Sequence, residues 1–132
     1  MGSRLAAAAA ALVVAGCGGG PGSDEHAARQ VVNRWLDAMA GRDDRRACAQ
    51  LTTRLQKLID LQLRQLGHTK LTCRNFAARW AFEGSAAGDS GVRIARLDVR
   101  GKTATVQLVA DGRESRIRLR KQNGQWRVDN YN

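Results

Sequence analysis

The hydrophobic pattern of the chain changes its period at residue 91, and this change constrains the fold more than any other feature. Before it, apolar residues recur every three or four positions, as in amphipathic helices; after it, they alternate with polar residues, as in half-buried strands. Three turn dipeptides separate four strand-like runs: Arg100-Gly101, Asp111-Gly112 and Asn123-Gly124. This order predicts an α+β domain with three N-terminal helices on one face of a curved four-stranded antiparallel sheet.

Capping residues set the expected helix boundaries. The first helix is predicted over residues 24 to 40, with Ser23 as its N-cap and Gly41 at its end. Asp43 is expected to cap a short helix, and Thr52 or Thr53 to begin a longer one. The apolar stripe expected on the buried side of the longer helix consists of Leu55, Leu58, Ile59 and Leu66.

Several positions leave alternatives open. Leu61 and Leu63 fall off the stripe, so they are either buried as well or offered to a partner. The segment Cys73–Phe82 fits a helix, although its end also fits the entry to a strand. A bulge near Ile94 or Ala95 is expected to swap the faces of the first strand. The strand positions predicted to face the core are Ala104, Val106, Leu108, Ile117, Leu119, Trp126 and Val128.

The N-terminal 23 residues have the composition of an export signal. They contain no acidic residue, a single basic residue, Arg4, and an apolar run from Leu5 to Ala15. Eleven apolar residues are too few for a membrane-spanning helix, which needs about 20, but they suit the core of a secretory signal peptide. The run ends in Val-Ala-Gly-Cys17, which resembles the lipobox of bacterial lipoproteins, where the Cys thiol carries the lipid and becomes the mature N-terminus.

This pattern predicts the organisation of the chain and its location. We expect a lipoprotein signal peptide over 1–16, a lipidated Cys17 with a Gly-rich tether over 17–23, and a folded domain over 24–132. Two or more acyl chains hold a protein stably on a bilayer, so the domain is expected at the cell membrane, facing outside the cytoplasm. The alternative is an ordinary signal peptide with an incidental Cys.

Positive charge dominates the composition. The chain carries 22 Lys and Arg against 12 Asp and Glu, a net charge of +10. Loss of Arg4 with the signal peptide leaves +9 on the mature chain. Basic domains often bind nucleic acid, but an exported protein meets anionic lipid and wall polymers instead, so no nucleic-acid partner is expected.

The two remaining cysteines form an even pair in an oxidising compartment. We therefore predict a structural disulfide between Cys48 and Cys73. The competing interpretation is a redox or metal site. The chain has no C-x-x-C motif, and neither His26 nor His68 has ligand spacing with the cysteines, so we predict no metal and no cofactor.

Four short segments together resemble a known family. They are Leu36–Asp43, Ala47–Thr52, Gly101–Val106 and Asn123–Asp129. In this order they are similar to small nuclear transport factor 2-like (SnoaL-like) lipoproteins of actinobacteria, over residues 24 to 130. The resemblance implies a cone formed by helices on a curved sheet. This chain is shorter than typical members, which implies fewer strands or a shallower cavity.

The family contains isomerases, dehydratases and hydrolases, but none of their catalytic positions is matched here. Those pockets use an Asp, His or Tyr beneath the helices, whereas the inward strand positions of this chain are apolar. We therefore predict a non-catalytic binding or scaffold module at the envelope. The alternative is a divergent enzyme of the same fold that acts on a small hydrophobic substrate, with a buried group such as Asp98. The candidate pocket-lining aromatics are Trp35, Trp80 and Trp126.

The outer face of the sheet is the candidate binding surface. Arg116, Arg118 and Arg120 alternate on one strand, so they share a face, and Arg127 lies on the next strand. Arg96 and Arg100 are candidates to join them. Guanidinium groups bind phosphates and carboxylates in bidentate fashion, so the expected partners are anionic lipid or a wall polymer. A solvated face and a protein or second copy covering it are the alternatives.

Overall fold

A computed structural model describes residues 21–80 and 91–131. Four helices precede four strands: α1 (Pro21–Ala40), α2 (Asp44–Ala49), α3 (Thr53–Gln65), α4 (Cys73–Trp80), β1 (Arg93–Arg100), β2 (Thr103–Ala110), β3 (Arg113–Gln122) and β4 (Gln125–Tyr131). The strands form one antiparallel sheet in the order β1-β2-β3-β4. The helices cover one face of this sheet, and the α+β prediction is therefore confirmed, with the short capped segment forming a helix of its own.

The start of α1 differs from the prediction. The helix already includes Pro21, the first residue that the structure describes, rather than starting after an N-cap at Ser23. Residues 21 to 23 of the expected tether are therefore helical.

The end of α1 also differs in detail. Arg42, at φ 52°, takes the left-handed position that Gly41 was expected to occupy. The backbone N–H of Arg42 donates to Met39 O at 3.2 Å, and that of Asp43 donates to Ala38 O at 2.8 Å. This pair of bonds is the Schellman motif, which satisfies carbonyl groups that the helix leaves open.

Two of the expected capping residues are confirmed. The side chain of Asp43 accepts from the Arg46 N–H at 3.1 Å and starts α2. The hydroxyl of Thr52 accepts from the Leu55 N–H at 3.3 Å and starts α3. Gly67, at φ 85°, follows the end of α3, as predicted.

The buried side of α3 was predicted wrongly. Its buried residues are Leu55, Ile59 and Leu63, whereas Leu58 and Leu66 are exposed. This helix has its main packing contacts with α4 and β4, and it buries a narrow i, i+4 stripe rather than the wider face expected of a core helix. Leu63 therefore belongs to the core, and Leu61 remains exposed at 44%.

The sheet follows the predicted alternation. All seven strand positions predicted to face the core are buried. Asp111-Gly112 and Asn123-Gly124 have positive φ at both residues, as in type I′ hairpins, and Gly101-Lys102 connects β1 to β2. The expected bulge in β1 is confirmed, because the register shifts between Ile94 and Arg96.

A second bulge, in β4, was not predicted. The register of β3 with β4 shifts between Arg118 and Leu119, which pair with Asn130 and Val128 and leave Asp129 between them. The shift moves Tyr131 to the inner face, where its ring lies 5.2 Å from that of Trp35. On the same strand, Val128 pairs in parallel with Leu51 and so joins the end of α2 to the sheet.

Candidate functional site

The outer face of the sheet presents the predicted arginines to solvent. Arg116, Arg118 and Arg120 alternate with buried residues along β3, and all three are exposed. Successive side chains on one face of a strand are about 7 Å apart. The three guanidiniums therefore form a ridge along the middle of the outer face.

Neighbouring strands extend this ridge sideways into rows. Arg96 is opposite Gln107, and Gln107 is opposite Arg116; we call these three residues the groove row. Arg100 is opposite Thr103, Thr103 is opposite Arg120, and Arg120 is opposite Arg127; we call these four the tip row. Directly opposed side chains are about 5 Å apart, so each row brings hydrogen-bond donors from several strands to one place.

An open groove of about 310 Å³ lies over β1, β2 and the start of the β3 ridge. It is lined by Arg96, Asp98, Arg100, Thr105, Gln107 and Arg116. Guanidinium, amide and hydroxyl groups can all donate hydrogen bonds to a phosphate or carboxylate. The volume is at the lower end of the range for small-molecule sites.

The arginines differ in how many partners they already have. Among residues 21–80 and 91–131, no carboxylate lies within 4.0 Å of the guanidinium of Arg96, Arg116 or Arg118. Arg100 is paired with Asp98 at 3.3 Å, but its side chain is 84% exposed. Arg96 and Arg116 of the groove row, together with Arg118, therefore present open guanidiniums on the outer face.

Two of the four arginines predicted for the anion-binding face are already engaged. Arg127 donates to the carbonyl oxygen of Ala49 at 2.7 Å and to the side chain of Gln125 at 2.6 Å. Arg120 lies 3.7 Å from Asp129. Arg127 thus joins β4 to α2, and the charge of Arg120 is partly neutralised by the carboxylate of Asp129.

Asp129 is buried, although strict alternation along β4, with Trp126 and Val128 facing the core, would put it on the outer face. Its side chain is only 7% exposed. It accepts from the Thr52 hydroxyl at 2.8 Å and from Arg54 Nε at 3.2 Å. The bulge in β4 turns this carboxylate toward the start of α3, and a bulge at a single residue leaves no periodic signal by which it could be predicted.

Burial raises the pKa of Asp129, but its surroundings lower it by more. The hydrogen bonds from Thr52 and Arg54 and the positive charges of Arg54 and Arg120 favour the ionised form, so the net pKa is below the ordinary value. The carboxylate is therefore charged at neutral pH and joins β4, α3 and the outer face.

The groove also contains two polar residues of β2 that were not among the predicted site residues. Thr105 and Gln107 are on β2, between the arginines of β1 and β3. Their signal was present in the sequence, because they alternate with Ala104, Val106 and Leu108, which were predicted to face the core.

The predicted disulfide is confirmed. Cys48 in α2 is bonded to Cys73 at the start of α4, with the Cα atoms 5.6 Å apart. The side chain of Asp60 accepts from the Cys73 N–H at 2.7 Å. Asp60 therefore caps α4, next to the disulfide, and stabilises the positive end of the helix dipole.

The other predicted residues have varied positions. Trp35 and Trp126 are packed in the core at 1% and 2% exposure, and the side chain of Trp80 lies outside the described residues, as does Cys17. His68 is exposed. Within the described ranges, no three His, Cys, Asp or Glu side chains are grouped so that they could hold a metal ion.

Asp98 does not provide the buried acid that the enzymatic alternative requires. Its side chain is 46% exposed on the outer face and paired with Arg100. A different ionisable group is enclosed by the core: the Tyr131 hydroxyl has no hydrogen-bond partner in the described structure, and burial raises the pKa of this phenol. A phenol with a raised pKa stays protonated at neutral pH.

Comparison with solved structures identifies the fold. The chain is similar to an NTF2-like protein of unknown function from Shewanella baltica OS155, with a TM-score of 0.53 and 15% identity over 85% of this chain and 93% of the other. An NTF2-like protein of unknown function from Pseudomonas putida KT2440 matches at a TM-score of 0.45 and 16% identity, over 83% of this chain and 84% of the other. The first of these likenesses shows a nuclear transport factor 2-like fold, as the sequence resemblance implied.

Sequence comparisons add nothing further. No protein-family model matches the chain, and no curated protein matches it. At 15% identity the likeness concerns the fold alone, and folds of this kind host unrelated functions. Function must therefore be argued from the surface and core of this chain.

Proposed function

We propose that this protein is an exported lipoprotein, of the kind that the sequence resembles in actinobacteria, and that it acts as a non-catalytic binding module for anionic ligands at the cell envelope. Lipid on Cys17 holds it to the membrane with the domain outside the cytoplasm. The outer face of the sheet is its binding surface. The open guanidiniums of the groove row are the observation that carries the proposal.

Two features support the export part of this proposal. The first is the lipobox-like segment that ends at Cys17. The second is the Cys48–Cys73 disulfide, because disulfides persist in oxidising compartments and are rare in the cytosol. A search for membrane-crossing helices in residues 21–80 and 91–131 finds none that is long and apolar enough.

The chemistry of the groove supports the binding part. Arg96 and Arg116 flank the amide of Gln107, and no carboxylate of the described chain lies within 4.0 Å of either guanidinium. A phosphate placed between them would accept charge-assisted hydrogen bonds from both sides. The groove is open and polar, which suits a charged polymer or headgroup better than an enclosed apolar substrate.

The binding part can be tested with labelled inorganic polyphosphate and the full chain in neutral detergent. One variant reverses three outer-face charges, with Arg96→Glu, Arg116→Glu and Arg118→Glu together. The matched control reverses three exposed charges on the helical side: Lys57→Glu, Arg64→Glu and Lys70→Glu. Both variants change the net charge by the same amount.

We expect the outer-face variant to weaken polyphosphate binding by about tenfold or more relative to the control, because each lost guanidinium removes charge-assisted hydrogen bonds. Circular dichroism of each variant confirms that it remains folded. Equal weakening in the two variants would contradict the proposal, since it would show that only the net charge matters.

A further inference from the structure

We infer that one end of the sheet docks directly on an anionic bilayer when the protein is anchored. This inference rests on the proposed lipidation of Cys17 but concerns residues other than the groove row. The end in question carries the β1–β2 turn at Gly101-Lys102 and the β3–β4 turn at Asn123-Gly124. We call it the tip.

The start of α1 is fastened to the tip. The side chain of Asp24, in the first turn of α1, accepts from Lys121 Nζ at 2.8 Å and from Trp126 Nε1 at 3.4 Å. Lys121 and Trp126 pair with each other beside the β3–β4 turn. The Lys121 N–H also donates to Lys102 O at 2.8 Å and so joins the two turns of the tip.

The lipid attachment point must therefore be close to the tip. Cys17 precedes Pro21, the first described residue of α1, by only four positions. Four residues span at most about 14 Å even when fully extended. An anchor at Cys17 thus places the bilayer surface close to the start of α1, with the tip as the nearest part of the sheet.

The tip is more basic than the opposite end of the sheet. Its cations are Arg54, Arg100, Lys102, Arg120, Lys121 and Arg127, and its carboxylates are Asp24, Asp98 and Asp129. The balance of six cations against three carboxylates is +3. Glu25, the residue after Asp24, leaves this balance unchanged, because its charge is offset by Arg29 at 3.5 Å.

The opposite end has no such excess among the described residues. Arg93 and Arg113 are balanced there by Asp111 and Glu114 around the β2–β3 turn. Attraction of basic residues to an anionic leaflet fades within a Debye length, about 10 Å at 0.1 M salt. Basic residues at the tip are therefore attracted to the anionic bilayer, whereas those at the far end lie beyond the range of this attraction.

Docking at the tip leaves the groove row accessible. Arg96 and Arg116 are each four residues along their strands from the tip row, a distance of about 13 Å. The tip row then faces the headgroups while the groove row faces the space above them. The two halves of the arginine surface are thereby assigned to two different tasks.

The test uses the full, lipidated chain reconstituted in vesicles of phosphatidylcholine with or without phosphatidylglycerol. Amide hydrogen exchange is followed at the exposed turns. We expect exchange at Gly101-Lys102 and Asn123-Gly124 to slow by about threefold or more with phosphatidylglycerol present, because docking shields these amides. Exchange at Asp111-Gly112 should be the same in both vesicles, and high salt should remove the difference.

A charge variant identifies the residues responsible. Arg100→Glu with Lys102→Glu should abolish the slowing at both turns. The control, Lys57→Glu with Arg64→Glu, has the same net charge and should retain it. Equal exchange at the tip turns in the two vesicle types, with the wild-type protein anchored in both, would overturn the docking inference.

The two proposals fail in distinguishable ways. If Cys17 carries no lipid, the protein does not remain with neutral vesicles, and the proposed anchoring itself is wrong. If the protein is anchored but its tip amides exchange alike in both vesicles, only the docking is wrong. Loss of polyphosphate binding in the outer-face variant bears on neither outcome, because Arg96, Arg116 and Arg118 lie outside the tip.

Discussion

A single buried carboxylate connects three parts of this domain. Asp129 accepts hydrogen bonds from the Thr52 hydroxyl and the Arg54 guanidinium at the start of α3. It also lies near Arg120, which belongs to the outer face of the sheet. Asp98, by contrast, forms an exposed pair with Arg100 on the outer face. Exposed pairs of this kind contribute between about 0 and 1 kcal/mol, whereas a buried, hydrogen-bonded carboxylate contributes more.

Replacing Asp129 should therefore cost stability where replacing Asp98 does not. We expect Asp129→Asn to lower the free energy of unfolding by about 2 to 3 kcal/mol, because it leaves Thr52 and Arg54 without a charged acceptor. The control, Asp98→Asn, should change it by less than about 0.5 kcal/mol. Urea denaturation of both variants measures the difference, and similar values for the two would contradict a special role for Asp129.

The same residue predicts a dependence on pH. The folded pKa of Asp129 is below its unfolded value, so the unfolded chain binds the proton more readily and acid favours unfolding. The stabilisation is complete above the ordinary Asp pKa of about 3.9 and is lost as the pH falls through the folded value. The stability gap between wild type and Asp129→Asn should therefore shrink between about pH 5 and pH 2. A gap that stays constant in urea titrations across this range would show that Asp129 is not the group responsible.

At the scale of elements, α3 shows how packing selects one face of a helix that is apolar on several. Leu63 is 1% exposed and Leu61 is 44% exposed, although both fell off the predicted stripe. We expect Leu63→Ala to cost about 2 to 4 kcal/mol, because it leaves a cavity between α3 and the core. Leu61→Ala, the matched control, should cost less than about 1 kcal/mol. Thermal or urea unfolding of the pair tests which leucine is in the core.

The disulfide joins α2 to α4. Two of its neighbours fasten α4 further, because Asp60 caps its first turn and Asp44 accepts from the Ala78 N–H at 2.9 Å. On the chain-entropy model, a crosslink between residues 25 apart stabilises by about 3.5 kcal/mol. Reduction should therefore lower wild-type stability by roughly that amount and leave the double variant Cys48→Ala, Cys73→Ala unchanged. Two reactive thiols in the unfolded, unreduced wild type would refute the bond.

At the scale of the whole molecule, the proposed anchor and the fold together define an orientation. Asp24 joins the start of α1 to the tip through hydrogen bonds with Lys121 and Trp126. A lipid at Cys17 would therefore orient the sheet with its tip toward the bilayer. The hydrogen bond from Lys121 lowers the pKa of Asp24 by more than burial raises it, and the hydrogen bond from Trp126 lowers it further. Asp24 is therefore ionised at neutral pH, and its contacts with Lys121 and Trp126 are retained there.

Lipidation makes a direct prediction for the full chain. Cys17→Ala should move the protein from the detergent phase to the aqueous phase in a phase-separation assay, because a thioether-linked lipid needs the thiol. Ser115→Ala, a change in the sheet far from the N-terminus, is the control and should leave the partition unchanged. Retention of Cys17→Ala in the detergent phase would refute lipid attachment at this residue.

Local signals account for most of the architecture. The change of period at residue 91, the two Asx-Gly turns and the caps at Asp43 and Thr52 each depend on residues close together in the chain, and the structure confirms them. The outer-face position of Arg116, Arg118 and Arg120 follows from strand alternation in the same way. Such features are decided by backbone geometry and by near neighbours, so they can be predicted from the sequence without knowledge of the tertiary structure.

Long-range packing decided the rest. The burial of Asp129 depends on Thr52, 77 positions away, and the attachment of α1 to the tip depends on Lys121, 97 positions from Asp24. The choice of Leu63 over Leu58 in α3 depends on which elements meet that helix. Contacts of this kind leave no periodic trace in the sequence, because each joins residues whose proximity exists only after the sheet and helices have packed together.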